Sequence, residues 1–245
     1  MAIMIKWFPP SWFQIKTGRK IIYIDPAYIR TYFKNYPKKI EFSRWPKEID
    51  GLPEDLEKAD LILVTHNHKD HCKRVTVDRL IRPGTLIVAP KRCVKALGKE
   101  IKVISPGEEI IFEDIKIRAV EAYNIKFSKK IWHRQGDGVG YVITLEGRTI
   151  YHAGDSDFIP EMKKLGIIDI ALIPIGGIFT MGIQEAVEAT IAIKPGIVIP
   201  MHVLKANPRE FKTKVETRSD VQVMLLQTGE AYYQGSFDGD GIRNY

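Results

Sequence analysis

The sequence predicts a layered α/β fold built as a single domain over residues 1–245. Short strand patterns alternate with helical patterns along the chain instead of being segregated into separate regions. The 245 residues are 44% hydrophobic, which is enough to bury a sizeable core without disulfides or structural metals. No linker, repeat or low-complexity run divides the chain. One enzyme-sized domain is therefore the expected organisation.

The N-terminal third reads mostly as strands. Residues 12–16 and 20–24 flank Thr17-Gly18-Arg19, a sequence typical of a hairpin turn. Residues 53–59 begin with a proline and predict a short helix. The apolar run at residues 61–64 predicts a buried strand.

The remaining two thirds alternate strands and helices. Gly182 and Glu185 suit the cap and first turn of one helix, and residues 235–241 read as a loop. The predicted helices cover residues 75–81, 91–97, 160–165, 183–193 and 209–215. The predicted strands cover residues 85–89, 102–120 with breaks at 105–107 and 113–114, 138–145 and 148–151 as a hairpin, 169–175, 196–201 and 221–226.

The densest chemical signal is the loop directly after the strand at residues 61–64. It holds His66, His68, Asp70 and His71, and so three of the chain's six histidines. Several imidazoles and a carboxylate at one point suit a divalent metal, whereas a packed core avoids them. The loop therefore predicts part of a metal site.

The other three histidines lie where they can complete such a site. His152 and Asp155 follow a predicted strand, and His202 ends the buried run at residues 196–201. His133 precedes the strand at residues 138–145. Because open sheets gather ligands at strand ends, these side chains are expected to converge.

In their order, these motifs resemble those of the metallo-β-lactamase superfamily, most closely the branch of metal-dependent hydrolases similar to ascorbate-6-phosphate lactonase. The resemblance extends over nearly all of the chain and implies a four-layer αββα sandwich, with two mixed sheets and outer helices. The motifs that carry it are Ile24-Asp25-Pro26 and the segments 65–71, 151–155, 173–181 and 199–202.

The resemblance also implies a ligand set for two divalent ions. Asp155 would bridge them. The first ion would be held by His66 and His68, and the second by Asp70, His71 and His202.

The third ligand of the first ion is open at this point. Many members of the family have a histidine after the strand that here ends near Ala122, where this chain has Tyr123-Asn124. His133 is the expected substitute, with Asn124 as the alternative.

Two further residues have expected supporting roles. Asp25 resembles an aspartate that orients a ligand histidine and fixes its tautomer, although it also fits a simple Asp-Pro turn. His152 is expected to lie beside the metals without binding them. Its alternatives are a buried imidazole bonded to the backbone and a proton donor to the leaving group.

Such a centre implies a hydrolase in which two ions about 3.5–4 Å apart activate a bridging hydroxide. Asp70 and Asp155 would be the catalytic carboxylates, with Asp70 orienting the hydroxide. Nitrogen and oxygen ligands favour zinc, with manganese or iron as alternatives. The substrate would be a small ester, lactone or phosphorylated metabolite.

Charge and composition bear on partners and location. The net charge of +7 suggests an anionic partner. Cations alternate with aromatic residues over residues 32–47, a pattern that suits nucleic-acid binding, a loop covering the substrate or a solvated face. A nuclease or phosphodiesterase is therefore the second hypothesis. A non-hydrolytic metal-binding protein is the third. The opening residues lack a leader pattern and no apolar run could span a bilayer. With Cys72 and Cys93 as packed thiols, a cytoplasmic location is expected.

Overall fold

The computed structural model describes residues 2–27, 56–125 and 132–235. Within these ranges the strands are β1 (Ile3–Phe8), β2 (Trp12–Lys16), β3 (Ile21–Ile24), β4 (Leu61–Leu63), β5 (Leu86–Ala89), β6 (Lys102–Val103), β7 (Glu109–Phe112), β8 (Ile115–Glu121), β9 (Val139–Leu145), β10 (Arg148–His152), β11 (Ile170–Pro174), β12 (Ile197–Met201), β13 (Gln222–Val223) and β14 (Ala231–Gln234). The α-helices are α1 (Arg74–Leu80), α2 (Cys93–Leu97), α3 (Ile183–Ile193) and α4 (Pro208–Arg218), and a 3₁₀ helix covers Pro160–Lys164.

The described strands form two mixed sheets. The first has the order β14-β1-β2-β3-β4-β5-β6, and the second the order β13-β12-β11-β10-β9-β8-β7. In each sheet the pairs on one side are antiparallel and those on the other side are parallel, from β3 through β6 and from β10 through β13. The predicted arrangement of two mixed sheets is confirmed.

Strand β4 shows how the sequence builds the layers. Leu61 and Leu63 belong to the large core between the sheets, whereas Ile62 and Val64 pack in a second core with Val77 of α1 and other residues of α1 and α2. Successive side chains of a strand point to opposite faces, so a strand covered on both sides must be apolar throughout. The uninterrupted apolar run at residues 61–64 meets that requirement.

Helices α3 and α4 cover the second sheet. The buried side chains of α3 recur at helical spacing, with Val187, Thr190 and Ile193 among them. Helix α4 begins after Asn207, whose side-chain oxygen accepts a hydrogen bond from the Arg209 N–H at 3.0 Å. With α1 and α2 on the first sheet, the result is the expected αββα sandwich.

Several predicted elements differ from the structure. Residues 56–59 are not helical, because Ala59 donates its N–H to Leu80 O at 2.8 Å and is tied to α1. The predicted strand at 221–226 shortens to β13, since Pro200 of the neighbouring β12 has no N–H with which to extend the ladder. Strand β14 was not predicted and pairs with β1.

Some predicted features lie outside the described residues. These are the start of the predicted helix at residues 53–55, the basic and aromatic segment at 32–47, and the tail beyond residue 235. Cys72 and Cys93 are both buried and neither forms a disulfide, as expected of packed thiols.

Candidate metal centre

The predicted ligand residues converge at one edge of the sandwich. The loop after β4 carries His66 to His71, Asp155 follows β10, and His202 directly follows β12. All three strands belong to the parallel halves of the sheets, so their carboxyl ends point to the same edge. The location of the site therefore follows from the topology.

The first candidate ligand group consists of His66, His68 and His133. One ring nitrogen from each lies within 4.8 Å of the others. His133 Nε2 is 3.0 Å from His68 Nδ1 and 3.5 Å from Asp155 Oδ2. The sequence left His133 and Asn124 as alternatives for the third position, and it is the side chain of His133 that reaches the cluster.

The second group consists of Asp70, His71 and His202, whose ligand atoms also lie within 4.8 Å of one another. Asp70 Oδ2 is 3.5 Å from His202 Nε2 and 3.8 Å from His71 Nε2. The histidine rings are buried, whereas the Asp70 side chain is 37% exposed. The second group is thus open to solvent on the Asp70 side.

Asp155 lies between the two groups. Its Oδ1 is 3.2 Å from His71 Nε2, and its Oδ2 is 3.4 Å from His202 Nε2 and 3.9 Å from His66 Nε2. One carboxylate therefore faces ring nitrogens of both groups. This is the arrangement needed of a bridging ligand.

The buried polar atoms of this cluster fit a bound cation. Nε2 of His66, His71 and His202 and Oδ1 of Asp155 are buried, yet none has a hydrogen-bond partner among the described residues. Buried polar atoms are normally paired, because an unpaired one costs about 1–3 kcal/mol. Ligand atoms of His66, His71 and Asp155 lie within 4.8 Å of one another, and His202 Nε2 is 3.4 Å from Asp155 Oδ2. These nitrogen and oxygen atoms form a donor set that suits a divalent metal.

The surroundings of the cluster lower the pKa of His66 and raise that of His202. Burial and the neighbouring His71 charge hold the pKa of His66 well below its ordinary value. For His202, burial alone would lower the pKa, but the carboxylates of Asp155 and Asp70 raise it. The pKa of Asp155 lies well below the ordinary range because the charges of His202 and His71 outweigh its burial.

Asp25 is fully buried and contacts the back of the His71 ring. Its Oδ2 is 2.7 Å from His71 Nδ1, and it accepts hydrogen bonds from the Thr65 hydroxyl at 2.6 Å and, through Oδ1, from the Thr65 N–H at 2.7 Å. This contact places a proton on His71 Nδ1 and leaves Nε2 facing the cluster. Thr65 Oγ1 also lies 2.9 Å from His66 Nδ1, a contact that the sequence did not predict.

His152 contacts the backbone with both ring nitrogens. Its Nε2 is 3.0 Å from Ser11 O, and its Nδ1 accepts the Gly154 N–H at 3.1 Å. No hydrogen bond joins its ring to a predicted ligand among the described residues. These hydrogen bonds correspond to the alternative of a buried imidazole bonded to the backbone.

Gly138 lets the chain pass close to the first ligand group. A Cβ at this position would lie 2.9 Å from His66 Cβ and 3.0 Å from Thr65 O, so one of them would have to move. We expect Gly138→Ala to destabilise the protein by about 1–3 kcal/mol and to weaken metal binding through His66. Denaturant titration and metal titration measure the two effects.

Gly18→Ala is the matched control, because a Cβ added at residue 18 would have no atom within 4 Å and the φ of this residue is ordinary. Equal effects of the two substitutions would contradict the role given to Gly138.

A cavity of about 270 Å³ opens beside the ligand residues. Trp132 and Phe179 form an aromatic wall of this cavity, with ring centroids 4.9 Å apart and planes at 80°. Lys69 is exposed at the same mouth. The residues that line it are His68, Lys69, Asp70, Trp132, His133, Asp155 and Phe179.

Residues 4–202 match the family model described as the Beta-lactamase superfamily domain. The chain belongs to the metallo-β-lactamase superfamily. Among curated relatives of this superfamily member, a UPF0173 metal-dependent hydrolase of Thermoplasma acidophilum is 39% identical over 180 residues, covering 67% of this chain and 76% of the relative.

Solved structures agree with the assignment to the metallo-β-lactamase superfamily. Igni18, a metallo hydrolase from Ignicoccus hospitalis, is 25% identical with a TM-score of 0.71, covering 97% of this chain and 100% of that one. A proposed metal-dependent hydrolase from Parabacteroides distasonis is 28% identical with a TM-score of 0.76, covering 91% of this chain and 92% of that one.

Among the described residues of the present chain, no helix is both long and apolar enough to cross a membrane.

Proposed function

We propose that this protein is a hydrolase that uses two divalent metal ions, with zinc as the first candidate and manganese or iron as alternatives. The observation that carries the proposal is that Asp155 lies between two candidate ligand groups. Buried nitrogen and oxygen atoms of these residues have no hydrogen-bond partner among the described residues. The names of its relatives support the same activity.

The residues divide between the two ions as follows. The first ion would be held by His66, His68, His133 and Asp155, and the second by Asp70, His71, His202 and Asp155. Ions held in this way lower the pKa of bound water and polarise the bond under attack.

Asp70 is the carboxylate best suited to orient the attacking water. Its side chain is 37% exposed at the mouth of the cavity, whereas that of Asp155 is only 3% exposed. A carboxylate that faces both solvent and the ligand cluster can accept a hydrogen bond from water that enters from the cavity. Asp155 instead holds the two groups together from inside.

The cavity supports a small substrate. Its volume of about 270 Å³ lies just below the range of roughly 300–1,000 Å³ for small-molecule sites. An apolar part of the substrate can pack against Trp132 and Phe179 while an anionic part faces Lys69. We therefore favour a small ester, lactone or phosphorylated metabolite over a nucleic acid.

Metal binding is the first test of this proposal. We expect chelator-treated protein to take up two equivalents of zinc. Each site should add about 2.7 kcal/mol of stability when the free zinc concentration is 100 times the dissociation constant of that site. Elemental analysis and thermal unfolding with and without zinc measure these effects.

Turnover of the zinc-loaded protein is the second test. Lactone and aryl ester probes are compared with a phosphodiester probe at two salt concentrations. Faster turnover of the lactone or ester supports our assignment, whereas phosphodiester cleavage that falls steeply with salt would favour the nuclease alternative. Two bound ions with no hydrolysis of any probe would reject the hydrolase.

A further inference from the structure

Three hydrogen-bonding contacts join Asn124 to His133. Its Oδ1 accepts the backbone N–H of His133 at 3.1 Å and lies 3.0 Å from His133 Nδ1. The Asn124 N–H in turn donates to His133 O at 2.9 Å. Two segments nine residues apart are joined in this way directly beside the first ligand group.

The orientation of the Asn124 amide is itself determined by its surroundings. Its Nδ2 donates to Phe179 O at 3.0 Å and to Asp157 Oδ1 at 3.3 Å. Asp157 is buried, and its Oδ2 accepts the Ile125 N–H at 2.9 Å. Because the amide nitrogen faces two acceptors, the amide oxygen must face His133.

This orientation determines which nitrogen of His133 carries the proton. A carbonyl oxygen only accepts hydrogen bonds, so the proton lies on His133 Nδ1. The lone pair of Nε2 then points to the cluster, where that atom is 3.0 Å from His68 Nδ1 and 3.5 Å from Asp155 Oδ2. A metal ligand needs this free lone pair.

We propose that Asn124 is the positioning residue of the first metal ion, that it acts by fixing the tautomer and ring orientation of His133, and that Asp157 orients Asn124. The inference rests on the metal-binding part of the proposed function and not on hydrolysis. It gives a task to a buried aspartate for which the sequence indicated no role.

Zinc titration of chelator-treated Asn124→Leu tests the inference. The substitution keeps the approximate side-chain size but removes the acceptor. We expect the affinity of the first ion to fall about 10–100-fold, as for other partners of ligand histidines, while the second ion binds as in the wild type. Long-range ¹H–¹⁵N spectra of the histidine rings should show the proton of His133 leaving Nδ1.

A double-mutant cycle with His133→Ala separates positioning from a general structural effect. If Asn124 acts through His133, adding Asn124→Leu to His133→Ala causes no further loss of zinc affinity. A residue that merely supports the fold would cause the same loss in both backgrounds.

The exchange variant Asn124→Asp/Asp157→Asn tests the geometry. It retains the acceptor that faces His133 and the amide–carboxylate pair, but it places a carboxylate oxygen against Phe179 O where the wild type has a donor. We therefore expect a partial recovery of affinity over Asn124→Leu. Wild-type affinity in Asn124→Leu, an additive cycle, or a wild type that binds no first ion would each overturn the inference. Two bound ions without hydrolysis would reject only the proposed activity.

Discussion

Asp155→Asn is expected to lose tight binding of both metal ions and, with them, hydrolysis. The substitution hardly changes side-chain size, but it removes the negative charge and one oxygen that face His71 Nε2 at 3.2 Å and His202 Nε2 at 3.4 Å. Loss of a partner that only contacts a ligand costs about 10–100-fold in affinity. Because Asp155 faces both groups directly, we expect losses above about 100-fold for each ion.

Zinc titration and turnover assays on the same samples measure the effect. Asp220→Asn is the control, because Asp220 is exposed beyond α4 and faces none of the ligand atoms given above. If Asp155→Asn retained two equivalents of zinc with wild-type affinity, the bridging assignment would be wrong.

Asp25→Ala is expected to be the most destabilising substitution considered for the metal-free protein. It leaves the Thr65 N–H, the Thr65 hydroxyl and His71 Nδ1 without the partner they contact at 2.6–2.7 Å. Asp25 is fully buried. Removing one partner of a buried ionic pair costs about 3–5 kcal/mol, and we expect a loss of that size in the free energy of unfolding.

Asp25→Asn provides a graded comparison. Asparagine tolerates the left-handed conformation of residue 25, whose φ is 48°, and it keeps one acceptor for Thr65. We therefore expect a smaller loss than for Asp25→Ala, while Asp114→Ala in the exposed turn between β7 and β8 should be nearly neutral. Denaturant titration orders the three variants, and equal losses for Asp25→Ala and Asp114→Ala would contradict the role of Asp25.

The sequence predicted the parts of this molecule that local patterns determine. The apolar runs became β4 and β12, and the Glu146-Gly147 turn joins β9 to β10 as expected. The candidate ligands were recognisable because all but His133 follow a predicted strand and because their motifs resemble those of the superfamily. Once parallel strands are assumed, their loops must meet at one edge.

The contacts that support the ligands could not be predicted, because they join distant segments without any local pattern. Nothing near Asp157 indicates that it will meet Asn124, 33 residues earlier. Likewise, the tie between Ala59 and Leu80 replaces a helix that local preference favoured. His152 is close in sequence to Asp155, but its ring contacts Ser11 O in the connection between β1 and β2.

The two ligand groups draw on both sheets. His66 and His71 follow β4 of the first sheet, whereas His133, Asp155 and His202 flank strands of the second. Each ion would therefore be bound by residues of both sheets and would oppose the sliding of one sheet against the other. Because neither sheet carries a complete ligand group alone, an ion would be fully bound only after the two sheets have packed together. The ions would therefore slow unfolding far more than they would speed folding.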